Sequence, residues 1–390
     1  MKWLDLYPTD VQMSSEDYRR RRTGVISVVS VNYRRWRISL NATHKHVVII
    51  GAGVAGLTAA DALAGRGIQV SLLEKTAFLG GHALQLSCKA TDACVKCGAC
   101  VVTDKLERVI RHPNVEIHTG TVIEAISNKR PYQIRCHSHA PLVDAGGRKG
   151  ELTADAVLVA TGFAPYDPSD KSYGYGRFQN VITSLDAERL LREKRLMKRP
   201  SDDRLAKRIA FIQCVGSRDA RLGHPWCSKI CCGSSLRMAR LIQSRQEDAE
   251  ITFFYIDVQT FGKDFQSFYG HARENIEMIR AIPGDIFRND RDELEVIYFD
   301  PETGASREGL FDVVVLSVGL LPSGDNGRMA EILGLPLDEF GFIPLQGNDR
   351  HGVPAGIYTA GTVTGPMSIA ESVSSAEKTV FDMIRYLGVK

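Results

Sequence analysis

Hydrophobic positions in this chain fall into short continuous runs more than into an alternating pattern. Val47–Ile50, Ala154–Ala160 and Phe311–Ser317 are such runs, and they predict strands covered on both faces. Good helix formers fill Leu57–Ala64, and a second helix is expected over about Ser234–Ser244. Further strands are expected at Gln69–Leu73, Val115–His118, Arg208–Gln213, Ile251–Ile256 and Glu293–Phe299. Strands that alternate with helices predict an α/β chain with doubly wound parallel sheets. Thr121–Ser127 and Tyr132–Cys136 read as a small antiparallel crossover. Loop and a charged helix within Pro165–Pro200 mark the passage into a second domain. Gly356–Gly361 and a helix reaching about Tyr386 return to the first. The expected layout is an extension over 1–45, a discontinuous first domain over 46–170 and 335–390, and a second domain over 200–334.

The first βαβ unit carries chemistry. Gly51-Ala52-Gly53-Val54-Ala55-Gly56 stands between the strand at Val47–Ile50 and the helix at Leu57. Gly51 allows the tight turn, Gly53 the close approach of a pyrophosphate, and Gly56 the packing of helix on sheet. The helix N-terminus then faces the phosphates. Glu74 closes the next strand 18 residues beyond Gly56 and can accept hydrogen bonds from ribose hydroxyls. Strand, glycines, helix, strand and acid in this order predict an adenine dinucleotide site, with Lys75 beside it. Gly80-Gly81-His82 allows the chain to pass next to the dinucleotide.

Composition adds limits. The net charge of +3 is too small to point to nucleic acid. Residues 1–46 carry nine Lys or Arg and four Asp or Glu, so the rest of the chain is net −2. Arg19–Arg22 ahead of the apolar Val25–Val31 faintly resembles a targeting leader, but the preferred reading is a disordered extension or a start assigned too far upstream. No window of 18 uncharged apolar residues occurs, so no transmembrane helix is expected.

Eight of nine cysteines form two groups of four, which favours metal or redox use over a disulfide scaffold. The first is Cys88-x5-Cys94-x2-Cys97-x2-Cys100. Three readings stay open for it: an iron–sulfur ligand set, a redox thiol pair beside a cofactor, or plain reduced thiols. The second is Cys214-x12-Cys227-x3-Cys231-Cys232, at a strand end and a helix start. Zinc would accept four thiolates, but a [4Fe–4S] cluster makes better use of a neighbouring dinucleotide cofactor. The stretch Phe211–Arg218 stands where a second glycine fingerprint would be. Only Gly216 is glycine there, so a nicotinamide dinucleotide loses its cradle.

With Ala160-Thr161-Gly162 after a buried strand, the chain looks like a two-dinucleotide-binding flavoprotein. Gly51 to Gly56 with Glu74, Arg111-His112-Pro113-Asn114, Gln213–Asp219 and His224-Pro225 with Cys227-x3-Cys231-Cys232 resemble the flavin-bearing A subunit of heterodisulfide reductase. The short form in sulfur-oxidation complexes is most similar. The resemblance implies a thioredoxin-reductase/glutathione-reductase-like flavoprotein whose second domain has a degenerate NAD(P) site. It implies FAD held by Gly51, Gly53, Val54, Ala55, Gly56, Glu74, Lys75, Gly80, Gly81, His82, Val122, Ala160, Thr161, Gly162, Gly361, Thr362 and Ser368. It further implies a [4Fe–4S] cluster on Cys214, Cys227, Cys231 and Cys232. A cytoplasmic homodimer passing electrons to iron–sulfur partner subunits is expected. Arg237 takes the catalytic position at which methanogen members have a lysine near the flavin. Arginine stays protonated, which puts electron bifurcation in doubt. A stand-alone NAD(P)H-dependent disulfide reductase and a zinc-bearing assembly module are the rival readings.

Overall fold

The computed structural model describes residues 45–91, 94–127, 129–138, 148–259, 265–345 and 354–389. The basic extension expected over 1–45 therefore lies outside the described residues, Lys45 excepted.

The first half opens with β1 (His46–Ile50), α1 (Val54–Ala64), β2 (Gln69–Leu73), α2 (Ala99–Arg111) and β3 (Val115–His118). The antiparallel sheet β4 (Thr121–Ile126), β5 (Tyr132–Ser138) and β6 (Arg148–Ala154) follows. β7 (Ala156–Val159) returns to the first sheet, and β8 (Phe163–Pro165) leaves it. The second half contains β9 (Val181–Thr183), α3 (Ser184–Glu193), β10 (Arg208–Val215), α4 (Cys231–Gln243), β11 (Glu250–Phe254), α5 (Phe265–Glu274) and β12 (Glu277–Ile279). Its small antiparallel sheet is β13 (Asp285–Arg288), β14 (Leu294–Asp300) and β15 (Ala305–Phe311). β16 (Val313–Val318), β17 (Leu320–Pro322), α6 (Asn326–Leu333), β18 (Ile357–Thr359) and α7 (Ile369–Leu387) complete the chain.

Two parallel sheets result, ordered β18-β7-β1-β2-β3 and β12-β11-β10-β16-β9. Their central strands β1, β7, β10 and β16 are apolar and buried almost throughout, as the continuous runs require. Each helix covers a sheet face with its apolar stripe. Leu57, Leu63 and Ala60 of α1 pack with Val47 and Ile49. Leu236, Met238 and Leu241 of α4 pack with Ile209 and Phe211.

Several expectations shift. β9 pairs with β16, and Ala187 and Leu191 of α3 join the second core, so that half begins near residue 181, not 200. Three strand residues and a charged helix carry little periodic signal. Met329 and Leu333 of α6 pack with Val48 and Val157, so the first core resumes before residue 335. Helix α2, which begins inside the first cysteine group and includes Cys100, is not among the expected elements. Helix α4 starts at Cys231 rather than at Ser234.

His46 on β1 is buried and His118 on β3 is partly so, and desolvation lowers the pKa of each. His118 falls from 6.5 to about 4, with the charge of His46 as a second cause. An unfolded histidine takes its proton near pH 6.5, whereas folded His118 takes it only near 4. The unfolded chain therefore binds more protons in that window, and stability must fall as pH drops through it. Urea unfolding at pH 7 and at pH 5 should differ by about 2 kcal/mol from this residue. The His118→Gln variant should lose that share of the slope. An unchanged slope would contradict the assignment.

Candidate functional site

Only three residues, Gly51 to Gly53, join β1 to α1. Gly51 adopts φ +104°, and a Cβ there would stand 2.3 Å from the Ala160 carbonyl oxygen. A Cβ on Gly56 would meet the Gly51 oxygen at 1.8 Å, so α1 rests directly on the turn. A Cβ on Gly53 would meet nothing within 4 Å. The turn is thus crowded on the protein side and open at Gly53. That is the shape a pyrophosphate needs.

The open side faces a cavity of about 1530 Å³. Of the residues expected along the dinucleotide, all but Gly56, Val122 and Gly361 line it. Gly361 supports it from behind, since its Cβ would stand 2.6 Å from that of Ala55. Val122 lies on β4, and its side chain is not brought to the cavity. Glu74 is buried; its carboxylate accepts from Ala52 N–H at 3.0 Å and Thr76 N–H at 2.9 Å. Thr161 Oγ1 is buried with no hydrogen-bond partner, an unmet demand that a polar ligand would satisfy. Ser368 caps α7, accepting from Glu371 N–H at 3.2 Å. His82 packs on Phe163 in a tilted arrangement with ring centroids 4.7 Å apart, and burial lowers its pKa.

The corresponding turn of the second half is built differently. Between β10 and α4 stand 15 residues, 216–230. Cys214, Arg218 and Lys229 all adopt left-handed φ values of +60°, +55° and +64°, a strain that non-glycine residues accept only when their surroundings impose it. A Cβ on Gly216 would stand 2.1 Å from the Tyr166 ring. The ring packs directly on this turn, whereas the first turn is open at Gly53. The loop is pinned by Arg218 N–H to Trp226 O at 2.9 Å, Trp226 Nε1 to Leu320 O at 3.0 Å, and a double contact from Arg218 to Asp257.

This loop gathers the second cysteine group. Burial pushes the Cys214 thiol up to about 11, and the neighbouring Cys232 adds to it. Burial likewise raises Cys231, followed by the charges of Cys232, Cys214 and Cys227. Four sulfurs thus influence one another in a partly dry pocket at the start of α4. Their present orientation serves thiols, with Cys231 Sγ donating to Val318 O at 3.7 Å and Cys232 Sγ to Asp257 O at 3.8 Å. Among the described residues, no three of His, Cys, Asp or Glu are set to hold a metal ion. The donor set suits a cluster chemically. Of the four, Cys231 also lines the cavity.

Cys94 and Cys97 of the first group line it too. Their loop is held by Glu188 of α3, which no local sequence pattern marks. Lys89 Nζ and Glu188 Oε1 are 2.5 Å apart, with side-chain exposures of 3% and 2%. Ser87 N–H and Oγ donate to the other oxygen at 2.9 and 2.8 Å. Arg237 lines the cavity as well. Its Nη1 donates to Gly233 O at 3.0 Å, and its guanidinium lies 5.2 Å from the Phe268 ring centroid.

Residues 45–212 match the family model for pyridine nucleotide-disulphide oxidoreductases. The chain is 30% identical, over 84% of its length, to the A subunit of the H(2):CoB-CoM heterodisulfide,ferredoxin reductase of Methanothermobacter thermautotrophicus. It is 29% identical, over 85%, to the iron-sulfur A subunit of the CoB--CoM heterodisulfide reductase of Methanocaldococcus jannaschii. It spans 62% and 63% of those two proteins. Thioredoxin reductase of T. acidophilum superposes with a TM-score of 0.58 at 19% identity, over 88% of this chain and 99% of that one. A NAD-dependent persulfide reductase from A. fulgidus gives 0.55 at 18%, over 87% and 58%. The fold is that of thioredoxin-reductase-like flavoproteins.

Removing Lys89 would leave the Glu188 carboxylate buried and unpaired. Lys89→Met should cost roughly 3–5 kcal/mol of stability, read as a lower urea midpoint. Adding Glu188→Gln to that variant should restore at least half, because the remaining group is neutral. A near-silent Lys89→Met would show that the pair is not buried in solution.

Proposed function

We propose that this chain, a member of the heterodisulfide reductase A-subunit family, is an electron-relaying oxidoreductase subunit that holds FAD and one [4Fe–4S] cluster. One observation carries the reading: Gly53, Thr161 and Thr362 of the dinucleotide cradle border the same cavity as Cys231 of the second cysteine group. When bound, FAD handles electrons in pairs or singly, and an iron–sulfur cluster handles them singly.

The residues divide the work. Gly53 and the start of α1 would present backbone N–H groups to the pyrophosphate, Gly51 shapes the turn with its own N–H given to Leu73 O, and Glu74 would accept from ribose hydroxyls. Thr161 offers its unpartnered hydroxyl to the cofactor. Thr362 can donate as well as accept. Cys214, Cys227, Cys231 and Cys232 are the cluster ligands in this reading, favoured by the start of α4, whose N–H groups stabilise thiolates. Arg237 stays protonated and contributes fixed positive charge rather than proton exchange. Tyr166 on Gly216 and the long loop 216–230 leave no cradle for a nicotinamide dinucleotide, so electrons come from elsewhere. The chain works in the cytoplasm as a homodimer beside iron–sulfur subunits, in oxidation of a sulfur compound. No helix of the described residues is long and apolar enough to cross a membrane.

Iron, sulfide and flavin analysis of anaerobically purified protein tests the reading. Cys232→Ser should lower iron sharply and keep flavin, because the cradle is built by the other half. Replacing Cys94 and Cys97 together should leave that iron in place. Iron lost with Cys94 and Cys97 but kept in Cys232→Ser would assign the ligands to the other group.

A second expectation concerns nicotinamides. Anaerobic mixing with NADH or NADPH should leave the flavin absorbance unchanged over seconds. Rapid bleaching would mean that the second half binds the nucleotide despite Tyr166.

A further inference from the structure

Strand β10 falls out of step with β16 where the second cysteine group begins. Ile212 pairs with Leu316 and Val215 with Val318, so Gln213 and Cys214 together face the single residue Ser317. An extra residue of this kind bends a strand and re-aims its side chains. Cys214 takes its left-handed φ of +60° at that bulge. Where the register of the backbone ladder shifts, side chains bridge the strands. Gln213 Nε2 donates to Ser317 Oγ at 2.8 Å, and Ser317 Oγ lies 2.8 Å from Ser235 Oγ on α4. The three residues are 3%, 1% and 1% exposed, so water does not compete for these bonds.

Each member of the bridge stands next to a cysteine. Gln213 directly precedes Cys214. Ser235 lies one helical turn beyond Cys231 and Cys232 on the same helix. Ser317 precedes Val318, whose carbonyl oxygen accepts from Cys231 Sγ at 3.7 Å. The bridge therefore joins the end of β10, the end of β16 and the start of α4. It is costly for a mere filler, because Gln213 Oε1 is buried with no hydrogen-bond partner, and apolar side chains would fill the space without that cost. What directional bonds add is a defined spacing between the elements.

We propose that Gln213, Ser317 and Ser235 are positioning residues that hold Cys214 at a fixed spacing from Cys231 and Cys232, so that the thiols can converge on one centre. The inference rests on the reading of Cys214, Cys227, Cys231 and Cys232 as cluster ligands. The bridge acts through the backbone: it holds the bulge in place and ties the start of α4 to it. Without it, Cys214 is free to leave its strained conformation. The dinucleotide cradle belongs to the other half and does not depend on it.

The test separates position from stability. Ser317→Ala strands the Gln213 amide and the Ser235 hydroxyl in a dry interior and should lower the urea midpoint. The triple variant Gln213→Met, Ser317→Ala, Ser235→Ala removes every member of the bridge. It should recover most of that loss, because no polar group is then left unpaired. Iron release to a chelator is measured on anaerobically purified full-length protein with the cofactors it retains. Release should be at least about tenfold faster in both variants than in the native chain, since a small misplacement of reacting groups costs that much. Flavin content should not change. Should the triple variant fail to fold, Ser235→Ala, which removes only the last bond, carries the same comparison. A folded variant that holds its iron as long as the native chain overturns the proposal. Native protein without iron would instead overturn the cluster reading, and dibromobimane, which joins neighbouring thiols, then decides on position alone. Peptide mass spectrometry should find Cys214 joined to Cys231 or Cys232 in the native chain, and at least about tenfold less of that product in the variant. Equal joining in the two chains overturns the proposal on that footing too.

Discussion

Glu188 is the point on which the two halves agree. It belongs to α3 of the second half, yet three of its hydrogen-bond and charge contacts come from Ser87 and Lys89 of the first. A lone carboxylate out of water would cost several kcal/mol. Here both oxygens are engaged, and Ser234 of α4 approaches at 3.5 Å as well. The first cysteine loop, α3 and the helix carrying Cys231 are thereby set at one mutual spacing. The floor of the cavity follows from that spacing, and so does the company its sulfurs keep. Apolar contact alone would hold the halves together but would not fix which residues face each other.

The two parallel sheets share one topology and use it for different chemistry. At the first switch from strand to helix, three residues, two of them glycine, keep the backbone low, so a phosphate can reach the helix N-terminus. At the second, 15 residues raise the chain into a loop. There the helix N-terminus meets cysteine sulfur instead. Both ends exploit the same positive dipole. The sequence around each turn selects what is offered to it.

How much of this was legible depended on how local the information was. The first turn could be read because Gly51, Gly53, Gly56 and Glu74 lie within one continuous stretch. That the second turn differs from the first was legible from missing glycines, but the Tyr166 ring that packs on it lies 50 residues from Gly216 in sequence. Lys89 and Glu188 are 99 residues apart and look like ordinary surface charges until the fold buries them. Val181–Thr183 was too short to register as a strand, and α2 was hidden by the cysteines ahead of it. Spacing grouped Cys94 and Cys97 with Cys88 and Cys100, whereas the fold places only the first two on the cavity. Val122, expected there by resemblance, sits on the small antiparallel sheet that its strand pattern predicts and does not line the cavity.

The chain crosses from one half to the other twice, once through β8 and once through β17. These two crossings are hydrogen-bonded side by side, with Phe163 opposite Pro322 and Pro165 opposite Leu320. Two covalent tethers set far apart would resist rotation in every direction. Laid together as one ribbon, they leave a single soft axis, so any swing of one half against the other must twist that ribbon. The axis of that twist is set by three residues on each strand, and the Glu188 contacts with Ser87 and Lys89 are what oppose it.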